Sequence, residues 1–147
     1  MFDSSIDPIE VDGAVCMESG MTGDWGAHNR NYALDNYPFD DNDWITFLDS
    51  DNIIHGDWYN TVKDYVDLNL AILTWGQLSK NHDIRLRPTD APSVGNIDSA
   101  SFMVKWKYVK DIRWSTNYTH DGEYANECSK RGQLLMLDAY ISFYNYL

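Results

Sequence analysis

The chain has 147 residues and a formal net charge of −12, with 23 Asp and Glu against 11 Lys and Arg. That length suits one domain with a single core, spanning 1–147. The acidic balance argues against a nucleic-acid partner, which is bound through a Lys/Arg surplus, and against charge-driven docking on anionic lipid. With no apolar run long enough for a bilayer and no basic-then-apolar leader, the expectation is a soluble cytoplasmic protein.

In chain order, Met1-Phe2-Asp3 reads as the end of a strand, followed by a turn-rich acidic segment and a second short strand around Ala14 to Met17. Gly20, Gly23 and Gly26 mark an open loop. A helix is predicted from about Ala27 to Asn36, with Tyr32, Ala33 and Tyr37 among its buried positions, and Tyr37-Pro38-Phe39 breaks it. Trp44 to Leu48 is the predicted central strand. Asp57 reads as the N-cap of a helix that buries Trp58, Val62, Tyr65, Val66 and Leu68. Leu70 to Trp75 reads as another buried strand, and Asn81 to Gly95 as loop. Ser99 to Val104 and Ile112 to Trp114 are short ordered pieces. Asp121 to Lys130 is a predicted helix stopped by Gly132, and Gln133 to Leu147 a terminal strand. Strands alternating with helices predict an α/β class with a mostly parallel sheet. Cys16 and Cys128, far apart and in no metal-like spacing, read as buried thiols.

Four constellations carry chemistry. In Trp44 to Asn52 an apolar strand ends in Asp49-Ser50-Asp51. Two carboxylates one residue apart repel each other, and a divalent ion with a phosphate-bearing ligand offsets that repulsion. The plain alternative is a solvated acidic turn capping the next helix. In Trp25 to Asn31 a glycine loop enters a helix with Arg30 in its first turn. That arrangement suits a phosphate, although a surface Arg30 and an ordinary partly buried His28 fit as well. His120-Asp121-Gly122-Glu123 clusters beside Trp114 and Tyr118. A carboxylate there suits a general base for a sugar hydroxyl, or the acids simply favour the helix dipole. In Gly95-Asn96-Ile97-Asp98, Asp98 binds an acceptor hydroxyl or caps a turn.

Taken in order, these pieces resemble glycosyltransferase family 2, the nucleotide-sugar enzymes of GT-A type fold. Asp3-Ser4-Ser5-Ile6-Asp7 is similar to that family's acidic nucleobase segment, and Trp25 to Leu34 to its glycine-then-Ala-Arg-Asn helix entry. Phe47 to Asn52 resembles its Asp-x-Asp signature, and Gly95 to Phe102 the loop before its acceptor side. His120-Asp121-Gly122-Glu123 stands where the family has Glu-Asp-x-Glu, with His120 in place of the first acid. The tail Tyr144-Asn145-Tyr146-Leu147 also fits. The family's first strand and helix have no room here, so an N-terminally truncated version is expected.

The resemblance implies a Rossmann-like, mostly parallel sheet flanked by helices. It implies an inverting, metal-dependent glycosyltransferase that moves a sugar from a nucleoside-diphosphate sugar to a hydroxyl acceptor such as a glycan. Asp121 would be the base. Asp3, Arg30, Asp49 and Asp51 would bind the donor, with Mn²⁺ or Mg²⁺ held by Asp49 and Asp51. Asp98, Trp114, Tyr118 and Glu123 would line the acceptor side. A homo-oligomer is left open. Two other readings compete: an inactive nucleotide-sugar or carbohydrate-binding module, and a phosphatase of the haloacid dehalogenase type, whose later motifs fit poorly.

Overall fold

Gly26, with a left-handed φ of 81°, turns the chain into helix α1, Ala27–Asn36. Tyr37 ends it in an extended conformation, as the residue before a proline must. The computed structural model describes residues 23–146. The predicted strands at Met1 to Asp3 and Ala14 to Met17, with Asp3, Cys16, Gly20 and Leu147, lie outside the described residues.

The remaining elements are β1 (Trp44–Thr46), β2 (Ile53–Ile54), α2 (Trp58–Val62), β3 (Ile72–Ser79), β4 (Ile84–Leu86), β5 (Phe102–Lys105), α3 (Trp106–Val109), α4 (His120–Ser129) and β6 (Leu134–Tyr144). Short 3-10 turns occupy Asp24–Gly26, Lys63–Tyr65 and Ser99–Ser101. Helix α4 begins one residue before the predicted start. The predicted Asp57 helix is one and a half turns followed by a 3-10 turn, and Leu68 is exposed. Ile112 to Trp114 forms no regular element, whereas β4 arises within the predicted 81–95 loop.

The strand order is β1-β5-β3-β6-β2, with β4 beside the second half of β3. β3 and β6 run parallel; the pairs β1–β5, β3–β5, β3–β4 and β2–β6 are antiparallel. The sheet is therefore mostly antiparallel and curls into a half-barrel, which corrects the predicted GT-A type, Rossmann-like parallel sheet.

The physical reason lies in burial. An uninterrupted apolar strand signals cover on both faces and carries no information on strand direction. In β3, Ile72 enters a cluster with Phe102, Val104, Trp114, Tyr124 and Cys128, while Leu73 and Trp75 enter a second cluster with Val62, Met103, Leu137 and Ile141. Helices and loops thus cover both sides of antiparallel strands. Each large side chain so buried stabilises the fold by roughly 1.5–3 kcal/mol. Among the described residues β3 and β6 are the one parallel pair, joined by a long crossover that includes α4. β1, the predicted centre of the sheet, stands at its edge.

Among the described residues no helix is long and apolar enough to cross a membrane. Cys128 is a free, buried thiol, and burial pushes its pKa up to about 12, so it is inert as a nucleophile.

Candidate functional site

Helix α1 delivers Arg30 and Asn31 to Trp114 from one side. The Asn31 amide donates to the Trp114 carbonyl (2.9 Å) and accepts from its N–H (2.8 Å), fixing the loop that carries the indole. The Arg30 guanidinium carbon lies 4.5 Å from the centroid of that ring. From there Arg30 donates to the Trp25 carbonyl (3.3 Å), to Asp49 Oδ1 and to His120 Nε2 (3.2 Å). Its Nη1 is also 3.9 Å from Asp121 Oδ1. One planar cation, 10% exposed, therefore gathers three stretches of chain.

Sheet register brings Asp49 there. β1 and β5 pair antiparallel with Thr46 opposite Met103, so the residues after β1 run beside those before β5. Asp49 consequently meets Ser99, whose hydroxyl donates to Asp49 Oδ2 at 3.0 Å. Asp49 is thus bonded through both oxygens. Asp51 sits two residues on in an exposed turn, and its backbone carbonyl accepts from Tyr146.

His120 opens α4 and is buried. A guanidinium only donates, so Nε2 must accept and the ring proton belongs on Nδ1. Burial, then the neighbouring Arg30 charge, lowers the His120 pKa, which agrees with a neutral ring. Asp121 Oδ1 is 3.5 Å from that Nε2 and has no hydrogen-bond partner among the described residues. Burial, and then the charge of Asp98, raises the Asp121 pKa from 3.8 to about 7; Arg30 opposes the shift.

Asp98, Glu123 and Trp114 are committed to the scaffold. Asp98 caps the Ser99–Ser101 turn, accepting from the Ala100 N–H (3.1 Å), Gln77 Nε2 (3.2 Å) and Arg85 Nη1 (2.9 Å). Glu123 accepts from Ser115 (2.5 Å) and Thr119 (2.6 Å), and those two bonds lower its pKa. Trp114 lies in the core, stacked on Tyr124 at 4.3 Å. Tyr118 is exposed. The structure therefore brings Arg30, Asp49 and Asp121 together and leaves Asp51 apart. It also adds His120, Ser99 and Trp25, which sequence reasoning did not assign. His120 was visible only as a motif mismatch. Ser99 needed the strand register.

No family model matches the chain, and no curated protein is significantly similar to it.

The predicted Mn²⁺ or Mg²⁺ needs several free oxygen ligands. Both Asp49 oxygens are engaged by Arg30 and Ser99, and no group of three or more His, Cys, Asp or Glu that would hold an ion occurs among the described residues. The residues present do not fit the metal, and no step below runs through one. An open depression of about 580 Å³ lies along α4, lined by Ser93, Val94, Gly122, Glu123, Asn126 and Glu127. It shares only Glu123 with the predicted residues.

Proposed function

We propose that the Arg30, Asp49, His120 and Asp121 cluster is an acid–base site for a hydroxyl-bearing ligand, with Asp121 as the proton-exchanging group. The observation that supports it most is the buried Asp121 Oδ1, unpartnered among the described residues beside a neutral imidazole and 3.9 Å from a cation. A carboxyl whose pKa lies near neutrality takes and returns protons efficiently, whereas one at its ordinary value is too weak a base. Arg30 keeps part of the ionised form accessible and faces any anion that develops nearby.

Glycosyl transfer from a nucleoside-diphosphate sugar is the specific activity we assign to this site, supported by the resemblance of the motifs around Arg30, Asp49 and Asp121. Asp121 takes the acceptor hydroxyl proton as that oxygen bonds to the anomeric carbon. The bond from that carbon to the diphosphate oxygen breaks, and the diphosphate leaves with the electron pair beside Arg30.

The test is release of nucleoside diphosphate from a panel of nucleoside-diphosphate sugars with saccharide acceptors. Asp121→Asn is expected to lower turnover by on the order of a hundredfold with donor binding retained. Equal turnover removes Asp121 as base. A second reading, a binding module without turnover, is favoured by one observation: each Asp49 oxygen already accepts a bond from within the fold, from Arg30 and from Ser99. Binding without release of nucleoside diphosphate selects it.

A further inference from the structure

Three polar atoms of the cluster form a closed triangle. His120 Nε2 lies 3.2 Å from Arg30 Nη1 and 3.5 Å from Asp121 Oδ1, and the latter two are 3.9 Å apart. A guanidinium only donates, so Nε2 is the acceptor facing it. That nitrogen has one lone pair and takes one hydrogen at a time. Asp121 Oδ1 is enclosed and has no partner among the described residues. The Asp121 side chain is nonetheless 27% exposed. Its exposure therefore lies on the Cβ and Oδ2 side, while Oδ1 faces inward.

An ionised Oδ1 beside an accepting Nε2 sets lone pair against lone pair. A hydrogen on Oδ1 removes that conflict and gives the buried oxygen a partner, as an O–H donor to Nε2. Arg30 can release Nε2 without losing its place. Its Nη1 also donates to the Trp25 carbonyl (3.3 Å), its Nη2 donates to Asp49, and the guanidinium lies over the Trp114 ring. When Asp121 is ionised instead, the guanidinium bonds Nε2 and faces Oδ1 across 3.9 Å. The same atoms thus support two hydrogen-bond patterns that differ by one proton. The charges acting on the pair come from α1 (Arg30), the turn after β1 (Asp49), β4 (Arg85), the turn before β5 (Asp98) and α4 itself (Glu123). The three acids favour retention of the proton, and the two arginines favour its loss.

We infer that His120 Nε2 is a shared acceptor, occupied by protonated Asp121 and returned to Arg30 when that proton leaves. His120 is thereby a positioning residue. It keeps the Asp121 proton on the inward oxygen and leaves Oδ2 for a ligand. That use of Oδ2 rests on the proposed function; the exchange of partners at Nε2 does not. Falling pH puts the proton on Oδ1 and moves Arg30 off Nε2, and rising pH reverses both. The two side chains titrate as a pair, so one step is felt at both.

The experiment follows the ring nitrogens of His120 and the guanidinium nitrogens of Arg30 by NMR of the isotope-labelled full chain, from about pH 5 to about pH 9. Nδ1 is expected to keep its proton and Nε2 to stay bare through the titration. The Nε2 and Arg30 signals are expected to shift together at one midpoint. Asp121→Asn has no proton to lose and is expected to abolish that shared step. Glu123→Gln, which removes another acid acting on His120, is expected to keep it. A cooperative melt certifies the fold of each variant. The inference is overturned if Nε2 carries the proton at neutral pH, or if its signal stays still throughout. A step that survives Asp121→Asn overturns it equally. Asp121-dependent turnover without the Nε2 step removes this inference and keeps the catalytic reading. The step in a chain that releases no nucleoside diphosphate upholds the inference and removes that reading.

Discussion

The Arg30 guanidinium rests 4.5 Å from the centroid of the Trp114 ring while bonding Asp49 and His120 at its rim. The pair joins α1 to the loop before α4, and the cation is stabilised by a ring face, a carboxylate and an imidazole nitrogen at once. Arg30→Ala leaves Asp49 without its cation and uncovers the indole. It is expected to destabilise the fold by about 2–3 kcal/mol in urea denaturation. Arg30→Lys should recover less than half of that, because an ammonium neither stacks nor forks.

Asp121 links stability to pH. Its pKa is raised from 3.8 to about 7, so the folded chain holds this proton more tightly than the unfolded chain does. The folded state therefore binds more protons across that window, and stability falls as pH rises through it. The side chain is 27% exposed. We expect Asp121→Asn to be more stable than the parent by about 2–4 kcal/mol above the window and equal to it below. The comparison is the difference between the two chains in denaturation midpoints, which cancels other carboxylates.

Gly122 is fixed by close approach. A Cβ there would stand 2.4 Å from the Val94 Cα and backbone N, and backbone does not yield as a flexible side chain does. Gly122→Ala is expected to lose more than about 2 kcal/mol by pushing the start of α4 off the 93–94 segment. A melting temperature within about 1 °C of the parent contradicts this packing.

A divalent ion is testable directly. With Asp49 bonded through both oxygens, adding Mn²⁺ or Mg²⁺ is expected to move the melting temperature by less than about 1 °C, and Asp51→Asn to behave like the parent. A shift of several degrees that Asp51→Asn abolishes would show that the ion draws the two acids together.

Local elements were more legible than their arrangement. α1 was readable to the residue because Gly26 and Pro38 are strong punctuation on either side of it. The start of α4 was readable from its acidic first turn. β3 was readable as buried, yet its direction was not, since cover on both faces looks the same in parallel and antiparallel sheets. That ambiguity displaced the whole architecture. In the site, Asp49 and Asp121 were visible as acids in suggestive places. Their separation from Asp51, and the bond from Ser99, depend on the β1–β5 register, which pairs residues over fifty positions apart and leaves no local trace. Arg30 stood out by its place in a first turn, but nothing nearby announced that a tryptophan eighty-four positions later would lie beneath it.

The pairing of β3 with β6 reaches past all the intervening strands and α4 before it closes. Loop closure over such a span precedes any reward from the contacts it creates. On the ribosome, β3 can pair with β4 and β5 early, but its other edge stays open until the chain beyond residue 134 has been made. Folding of this molecule is thus set to be late and slow, with the interval of exposure a natural point for chaperone capture.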